Sequence, residues 1–199
     1  ARDLDIMGDE VQRIAQATGL TLNDRVYRGR DFTTKNVMDA VRSIAPARDD
    51  VVLFYYSGHG FRTKNKNTRW PYLYFHNKPP NPVDFGWVVD EMARKGARLT
   101  LVLTDSCNNV VNVQIRETQK ALPQGMSKAA NGYRELFLNY RGLIAAASSI
   151  PGETSTATSS GSLFTLSFLK ALRGEVVRPR PTWESLMQKG AGSRLRHQG

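Results

Sequence analysis

Two reactive side chains each follow a short apolar run of this 199-residue sequence. The run over residues 51–56 leads to His59, and the run over residues 99–104 leads to Cys107, the only cysteine of the chain. Continuous apolar runs of this length are typical of buried strands in a parallel sheet. Parallel strands end at one edge of their sheet, where open α/β sheets bind their ligands. We therefore predict that His59 and Cys107 lie close together at such an edge.

A thiol beside an imidazole has the chemistry of a nucleophile and its base. Cysteine attacks as the thiolate, so a neighbouring group must accept the proton or stabilise the charge, and His59 is the candidate. Attack on an amide carbonyl creates an oxyanion, for which the backbone N–H groups of Gly60 and Cys107 are the candidate donors. A single buried cysteine is more often a small core residue. The position of both residues after buried strands favours catalysis over that alternative.

The elements that would position this pair alternate between helix and strand. Helical spacing of apolar residues predicts helices over about residues 7–18, 33–45, 84–95, 161–172 and 182–189. Apolar runs or alternation predict strands over residues 20–27, 51–56, 99–104 and 142–147. This order is that of successive βαβ units, so we expect an α/β fold with a mostly parallel central sheet flanked by helices in three layers. Irregular segments at 61–82, 108–131 and 151–160 follow the strongest strands and suit a substrate cleft.

Composition limits the classes of function. The net charge is +10, with basic residues concentrated at residues 62–69 and from Arg173 onward. Basic clusters attract phosphates, but neither has the signature of a nucleic-acid-binding fold, so a solvated basic loop is favoured. No apolar run reaches the roughly 18 residues of a membrane span, and the first ten residues lack signal-peptide features. The compartment stays open: cytoplasmic or, after removal of an upstream signal, periplasmic or secreted.

At these residues the chain resembles the caspase-like cysteine peptidases of clan CD, family C14, most closely the metacaspases and the bacterial metacaspase-like proteins called orthocaspases. The SGHG of residues 57–60 is similar to the family's histidine motif, and the DSC of residues 105–107 is similar to the metacaspase nucleophile motif. The ASSIPGETS of residues 147–155 and the GSLFTLSFLKAL of residues 161–172 are similar to the substrate-binding strand, loop and helix of the family. The resemblance implies a caspase-like fold and a cysteine endopeptidase with a His-Cys dyad and no cofactor.

The resemblance also implies a substrate class. In metacaspases the aspartate two residues before the nucleophile lines the pocket for the P1 side chain, and here that residue is Asp105. A carboxylate there pairs with Arg or Lys and repels Asp, so we predict peptide or protein substrates with a basic P1 residue. Ser155 lies in the loop expected to pair with the substrate backbone. Glu153 is a second candidate carboxylate of the pocket or a solvated loop residue, and Asp105 is alternatively a turn-capping residue.

Several features depart from the family pattern. No Asp or Glu occurs between His59 and Asp84, and calcium requires about six to eight oxygen ligands, so we predict no metal site and no calcium requirement. Asn108 and Asn109 replace the usual His-Ser after the nucleophile, which leaves the geometry of that loop open. The family's first and last strands are not recognised, so we expect a core trimmed at both ends. True caspases pair through their last strand, and this strand is not recognised here, so we expect a monomer.

The domain prediction is a single caspase-like catalytic domain over residues 1–199, with a p20-like part over about residues 1–115 and a p10-like part over about 132–199. The irregular loop between them contains Arg116, Lys120 and Lys128, where an enzyme specific for basic residues can cleave itself. The alternative is that these are ordinary exposed residues.

Two other classes of function stay open. A catalytically silent caspase-like scaffold that binds peptides or partner proteins is the second, and a basic nucleic-acid-binding domain is the third. Within the first class, that of cysteine endopeptidases, legumain-like and separase-like peptidases share the order of histidine before cysteine. We expect no membrane partner.

Overall fold

A computed structural model describes residues 2–75, 81–109, 129–155, 157–158 and 161–190 of the chain. The helices in this part of the chain are α1 (Arg2–Thr18), α2 (Thr34–Ser43), α3 (Phe85–Ala93), α4 (Ala129–Leu138), α5 (Leu163–Glu175) and α6 (Trp183–Gly190), with a short 3-10 helix at Gly29–Asp31. The strands are β1 (Val51–Ser57), β2 (Gly60–Phe61), β3 (Tyr72–Leu73), β4 (Val83–Asp84), β5 (Leu99–Asp105), β6 (Gly142–Ala147), β7 (Ala157–Thr158) and β8 (Gly161–Ser162).

The central sheet consists of three parallel strands in the order β1-β5-β6. All seven residues of β5 are buried, which explains why its sequence is a continuous apolar run rather than an alternating one. The register pairs Val51 with Leu99 and, at the other end, Ser57 with Asp105. The prediction of an α/β fold with a mostly parallel central sheet is confirmed. Because β1 and β5 end in register, the residues that follow them emerge at the same edge.

The sheet belongs to a compact unit formed by Asn23–Gln114 and Gly142–Ser155. In this unit α3 packs against β5, and α2 packs against α3. Each helix begins at a side-chain cap: the Thr33 hydroxyl accepts the Asn36 N–H at 3.2 Å, and the Asp84 carboxylate accepts the Gly86 N–H at 2.8 Å. The apolar faces of both helices and of the sheet form one core, which fixes the strand ends that carry the site.

The second compact unit comprises Ala1–Leu22, Ile115–Arg141 and Thr156–Gly199. Its described part holds α1, α4, α5 and α6 and the small β7–β8 pair. Glu10 is fully buried in α1 and accepts hydrogen bonds from the Tyr133 hydroxyl and from the Arg173 guanidinium. The buried Trp183 indole donates to the Leu136 carbonyl at 2.7 Å. None of the helices in the described residues is both long and apolar enough to span a bilayer.

Three local predictions were wrong. Residues 20–27 form no strand and are mostly exposed, because a strand needs a paired neighbour and the described residues offer none beside this segment. The segment 61–82 was expected to be irregular but contributes to the small antiparallel sheet β2-β3-β4, whose strands of two residues are too short for a periodic pattern. Helix α4 begins inside the segment predicted to be irregular. Its Gly132 weakens the helical signal but allows close packing, since an added Cβ would lie 1.9 Å from the Val176 carbonyl oxygen.

Candidate functional site

The main chain around His59 leaves the sheet at the end of β1 and is held by neighbouring groups. The Gly58 N–H donates to the Asp105 carbonyl at 3.1 Å, which continues the pairing of β1 with β5. The His59 carbonyl accepts the Tyr74 N–H at 2.9 Å. The His59 ring is exposed and lies edge-on to the Tyr74 ring, with centroids 6.5 Å apart. The backbone of His59 is therefore fixed while its imidazole faces solvent.

Tyr56 contributes a buried hydroxyl to the same position. Its oxygen lies 2.7 Å from the His59 carbonyl oxygen and 2.6 Å from the Tyr74 carbonyl oxygen. Burial raises the pKa of the Tyr56 hydroxyl well above its usual value, so the group keeps its single proton and shares it between these two carbonyls. A tyrosine in an otherwise apolar run was the sequence signal for this support, and sequence reasoning missed it.

The segment after β5 is tied to the segment after β6. The Ser106 N–H donates to the Ser148 hydroxyl oxygen at 2.9 Å. The Ser106 carbonyl accepts the hydroxyls of Ser148 at 2.9 Å and Ser149 at 2.6 Å. The two consecutive serines of β6's carboxyl end thus hold the residue that precedes Cys107.

The Cys107 side chain is half-buried and contacts the backbone of Ser155. The sulfur accepts the Ser155 N–H at 3.3 Å and lies 3.8 Å from the Ser155 carbonyl oxygen. Among the described residues, the His59 ring makes no hydrogen bond to this sulfur. The thiol is therefore bordered by the loop after β6.

Gly60 brings the end of β1 against the nucleophile segment. An added Cβ on Gly60 would lie 2.5 Å from the Cys107 carbonyl oxygen and 2.7 Å from the Ser106 side chain. Only glycine permits this approach. The segment that carries His59 and the segment that carries Cys107 are thus in direct contact.

Asp105 and Ser155 also meet. Asp105 is the last residue of β5, and its side chain is only 3% exposed. The Ser155 hydroxyl donates to the Asp105 Oδ1 at 2.9 Å, which offsets part of the cost of burying a carboxylate. Ser155 therefore contacts Cys107 with its backbone and Asp105 with its side chain.

Glu153 belongs to the same loop. Its N–H donates to the Ile150 carbonyl at 3.0 Å, and its own carbonyl accepts the Asn108 N–H at 2.9 Å. The residue is half-buried. Its backbone therefore links the loop after β6 to the residue that follows Cys107.

The basic segment 62–69 is partly internal. Lys66 is buried, with its ammonium 2.6 Å from the Asp84 carboxylate and 3.8 Å from the centre of the Tyr72 ring. The Arg62 guanidinium donates to Asn108 and to two carbonyls of its own segment. Two of its cations thus have partners within the protein, which favours a structural loop over a phosphate-binding one.

The sequence also predicted three self-cleavage residues and no metal site. Arg116, Lys120 and Lys128 lie outside the described residues. Within the part of the chain that the structure describes, no three His, Cys, Asp or Glu residues are grouped as metal ligands.

The sequence profile of the caspase domain, peptidase family C14, matches residues 10–190. No curated protein gives a significant match to the chain. The profile covers nearly all of the sequence, and the α/β fold with its parallel sheet agrees with it. The chain therefore belongs to the caspase-domain family of cysteine-type peptidases.

Proposed function

We propose that the protein is a cysteine endopeptidase in which His59 and Cys107 form the catalytic dyad and which cleaves after Arg or Lys. The observation that carries this proposal is the contact of Gly60 with Ser106 and Cys107, where an added Cβ would lie 2.5 Å from the Cys107 carbonyl oxygen. It brings the segment that carries the exposed His59 imidazole into contact with the segment that carries the Cys107 thiol.

The reaction follows from the two side chains. The His59 imidazole takes the thiol proton, and the Cys107 thiolate attacks the carbonyl carbon of the scissile bond. The backbone N–H groups of Gly60 and Cys107 stabilise the oxyanion. His59 then gives the proton to the leaving amine. A water molecule loses a proton to His59 and attacks the thioester, the bond between sulfur and carbonyl carbon breaks, and His59 returns the proton to the Cys107 sulfur as the acid product leaves.

The proposed P1 specificity depends on Asp105. Its buried carboxylate carries a hydrogen bond from Ser155, and Ser155 also contacts the Cys107 sulfur. A basic P1 side chain bound here would sit beside the nucleophile and form a charge-assisted pair, whereas an acidic one would be repelled. Glu153 in the same loop is the second proposed carboxylate of this pocket.

We also propose that calcium is not required. The sequence between His59 and Asp84 has no carboxylate, and hard cations such as Ca²⁺ need several oxygen ligands. Addition of a chelator should therefore leave the rate unchanged.

The second candidate function is a catalytically silent scaffold. It is favoured by the position of the Ser155 backbone, whose N–H donates to the Cys107 sulfur at 3.3 Å and lies against the nucleophile. For catalysis, this loop must yield to the substrate.

One assay separates the two functions. Fluorogenic peptides that differ only in Arg, Lys or Asp at P1 are incubated with the wild type and with Cys107→Ala, with calcium or with a chelator. The endopeptidase hydrolyses the Arg and Lys peptides alone, equally in both solutions, and the variant is inactive. The scaffold binds these peptides without hydrolysing any of them. Mass spectrometry of the active wild type and of Cys107→Ala tests the proposed self-cleavage at Arg116, Lys120 and Lys128.

A further inference from the structure

Asn108, the residue directly after Cys107, is fully buried and hydrogen-bonded through its main chain. Its N–H donates to the Glu153 carbonyl at 2.9 Å, and its carbonyl accepts the Gly152 N–H at 2.8 Å. These reciprocal bonds fasten the residue beside the nucleophile to the turn that leads into Ser155. Any movement of one segment must therefore move the other.

The side-chain amide of Asn108 makes three further hydrogen bonds. Its Oδ1 accepts from the Arg62 guanidinium at 3.1 Å. Its Nδ2 donates to the Arg69 carbonyl at 2.7 Å and to the Ser149 carbonyl at 3.3 Å. An amide offers a donor and an acceptor on one planar group, whereas the ionised carboxylate of an aspartate only accepts, so an aspartate of the same shape cannot replace Asn108.

Arg62 extends this network into the segment that follows β2. Its guanidinium donates to the Lys66 carbonyl at 2.7 Å and to the Thr68 carbonyl at 3.0 Å. Its N–H donates to the Asn109 carbonyl at 3.1 Å. The segment 62–69 is thereby folded onto Asn108, and the three segments that follow β2, β5 and β6 converge on a single side chain.

We propose that Asn108 is the positioning residue of the site: it holds Cys107 and the 152–155 loop at fixed distances from each other. This inference rests on the proposed peptidase function. Asn108 contacts no substrate, because it is fully buried. It acts through its neighbour Cys107, whose sulfur accepts the Ser155 N–H, and through the 152–155 loop, whose Ser155 hydroxyl donates to Asp105. Misplacement of a reacting group by about 1 Å can cost on the order of 100-fold in rate.

The test compares Asn108→Asp with Asn109→Asp, which makes the same change one residue later. Asn109 is half-buried, and its side chain makes no hydrogen bond to the described residues. In Asn108→Asp a carboxylate oxygen replaces Nδ2 and faces the Arg69 and Ser149 carbonyls, so both bonds are lost. The readouts are kcat and KM for an Arg peptide, and the rate at which iodoacetamide alkylates Cys107, at a temperature where circular dichroism shows every variant folded.

We expect kcat to fall about 10- to 100-fold in Asn108→Asp and less than threefold in Asn109→Asp. Alkylation should become several-fold faster in Asn108→Asp, because the Ser155 backbone no longer stays over the sulfur. This combination of slower turnover and a more accessible thiol is not the result of a purely structural role, which would leave kcat per folded molecule unchanged. Equal kcat and equal alkylation in the two folded variants would overturn the proposal.

Arg62→Gln is the second variant, for the case in which Asn108→Asp does not fold. It removes the guanidinium from Oδ1 while Asn108 itself stays, and we expect a fall in kcat of about three- to tenfold with faster alkylation. No change in either readout would again overturn the proposal. If the wild type hydrolyses no peptide, the peptidase function fails, and the alkylation rates still decide whether Asn108 holds the loop over the sulfur.

Discussion

Two fully buried polar residues organise the two compact units in different ways. In the unit that contains the sheet, the neutral amide of Asn108 binds groups that are 39 to 46 residues away in the sequence. In the other unit, the carboxylate of Glu175 binds Lys189, Arg178, Ser185 and the Thr182 N–H, all within 14 residues of it. The first arrangement joins three loops, and the second joins one helix to the next.

The two residues differ in how their partners are brought together. Glu175 is the last residue of α5 and draws its partners from the connection to α6 and from α6 itself, so the chain connection already brings them together. Asn108 gains its partners only when the strands have paired. Burial raises the pKa of Glu175, but hydrogen bonds from Lys189, the Thr182 N–H, Ser185 and Arg178 outweigh burial and hold the pKa below its usual value. We therefore expect changes near Asn108 to affect catalysis and changes at Glu175 to affect stability.

Substitution of His59 should have the largest effect on hydrolysis. His59→Ala removes the base of the proposed dyad, so kcat should fall about 1,000-fold. The ring is exposed, so the free energy of unfolding should change by less than about 0.5 kcal/mol. Steady-state kinetics and urea unfolding measure the two quantities. A variant that retains a tenth of the activity would remove His59 from the mechanism.

Neutralisation of the pocket carboxylate should have the next largest effect. Asp105→Asn preserves the shape but removes the charge that pairs with a basic P1 residue, so kcat/KM for Arg peptides should fall about 100-fold. Ser155→Ala is the matched control: it removes one hydrogen bond to Asp105 and should cost less than tenfold. If Asp105→Asn lowers the rates of Arg peptides no more than Ser155→Ala does, Asp105 is a turn-capping residue and not the specificity determinant.

Loss of the Tyr56 hydroxyl should have a smaller effect. Tyr56→Phe removes only the group that bonds the His59 and Tyr74 carbonyls, so kcat should fall about three- to tenfold. Tyr55→Phe, the same change on the preceding residue, should leave kcat unchanged. Equal kinetics of the two variants would show that the Tyr74 N–H alone suffices to hold His59.

Substitution of Glu175 should leave hydrolysis unchanged and lower stability. The pKa of Glu175 is lowered in the folded state, so its carboxylate stabilises the fold above the unfolded-state pKa, and this contribution is lost as the pH falls through the folded pKa. The free energy of unfolding of Glu175→Gln should therefore be about 1 to 3 kcal/mol lower than that of the wild type at pH 7. The difference should shrink below pH 4.5, the usual pKa of the group. A difference that stays constant with pH would mean that packing, not charge, is responsible.

The sequence was most informative where burial on both faces of a strand leaves a continuous apolar run. Such burial holds at every position of β5, whose bounds, like those of the less buried β1 and β6, followed from an apolar run. The network of Asn108 and Arg62 could not be predicted in this way, because its partners are brought together only by strand pairing. For the same reason the prediction of a strand at residues 20–27 was wrong. Their apolar side chains alternate as in a strand, but no described strand lies beside them. Helix α4 was missed since Gly132 has a low helical propensity and is there for its contact with Val176.

Covalent labelling of Cys107 tests the proposed dyad and the proposed P1 pocket together, with peptidyl reagents that have an electrophilic carbonyl and carry either Arg or Asp at P1. Intact-mass spectrometry follows the adduct on the wild type and on His59→Ala. We expect rapid formation of a single adduct with the Arg reagent on wild type, at least 100-fold slower labelling by the Asp reagent, and slow labelling of His59→Ala. Equal labelling by both reagents, or equal rates with and without His59, would contradict this expectation.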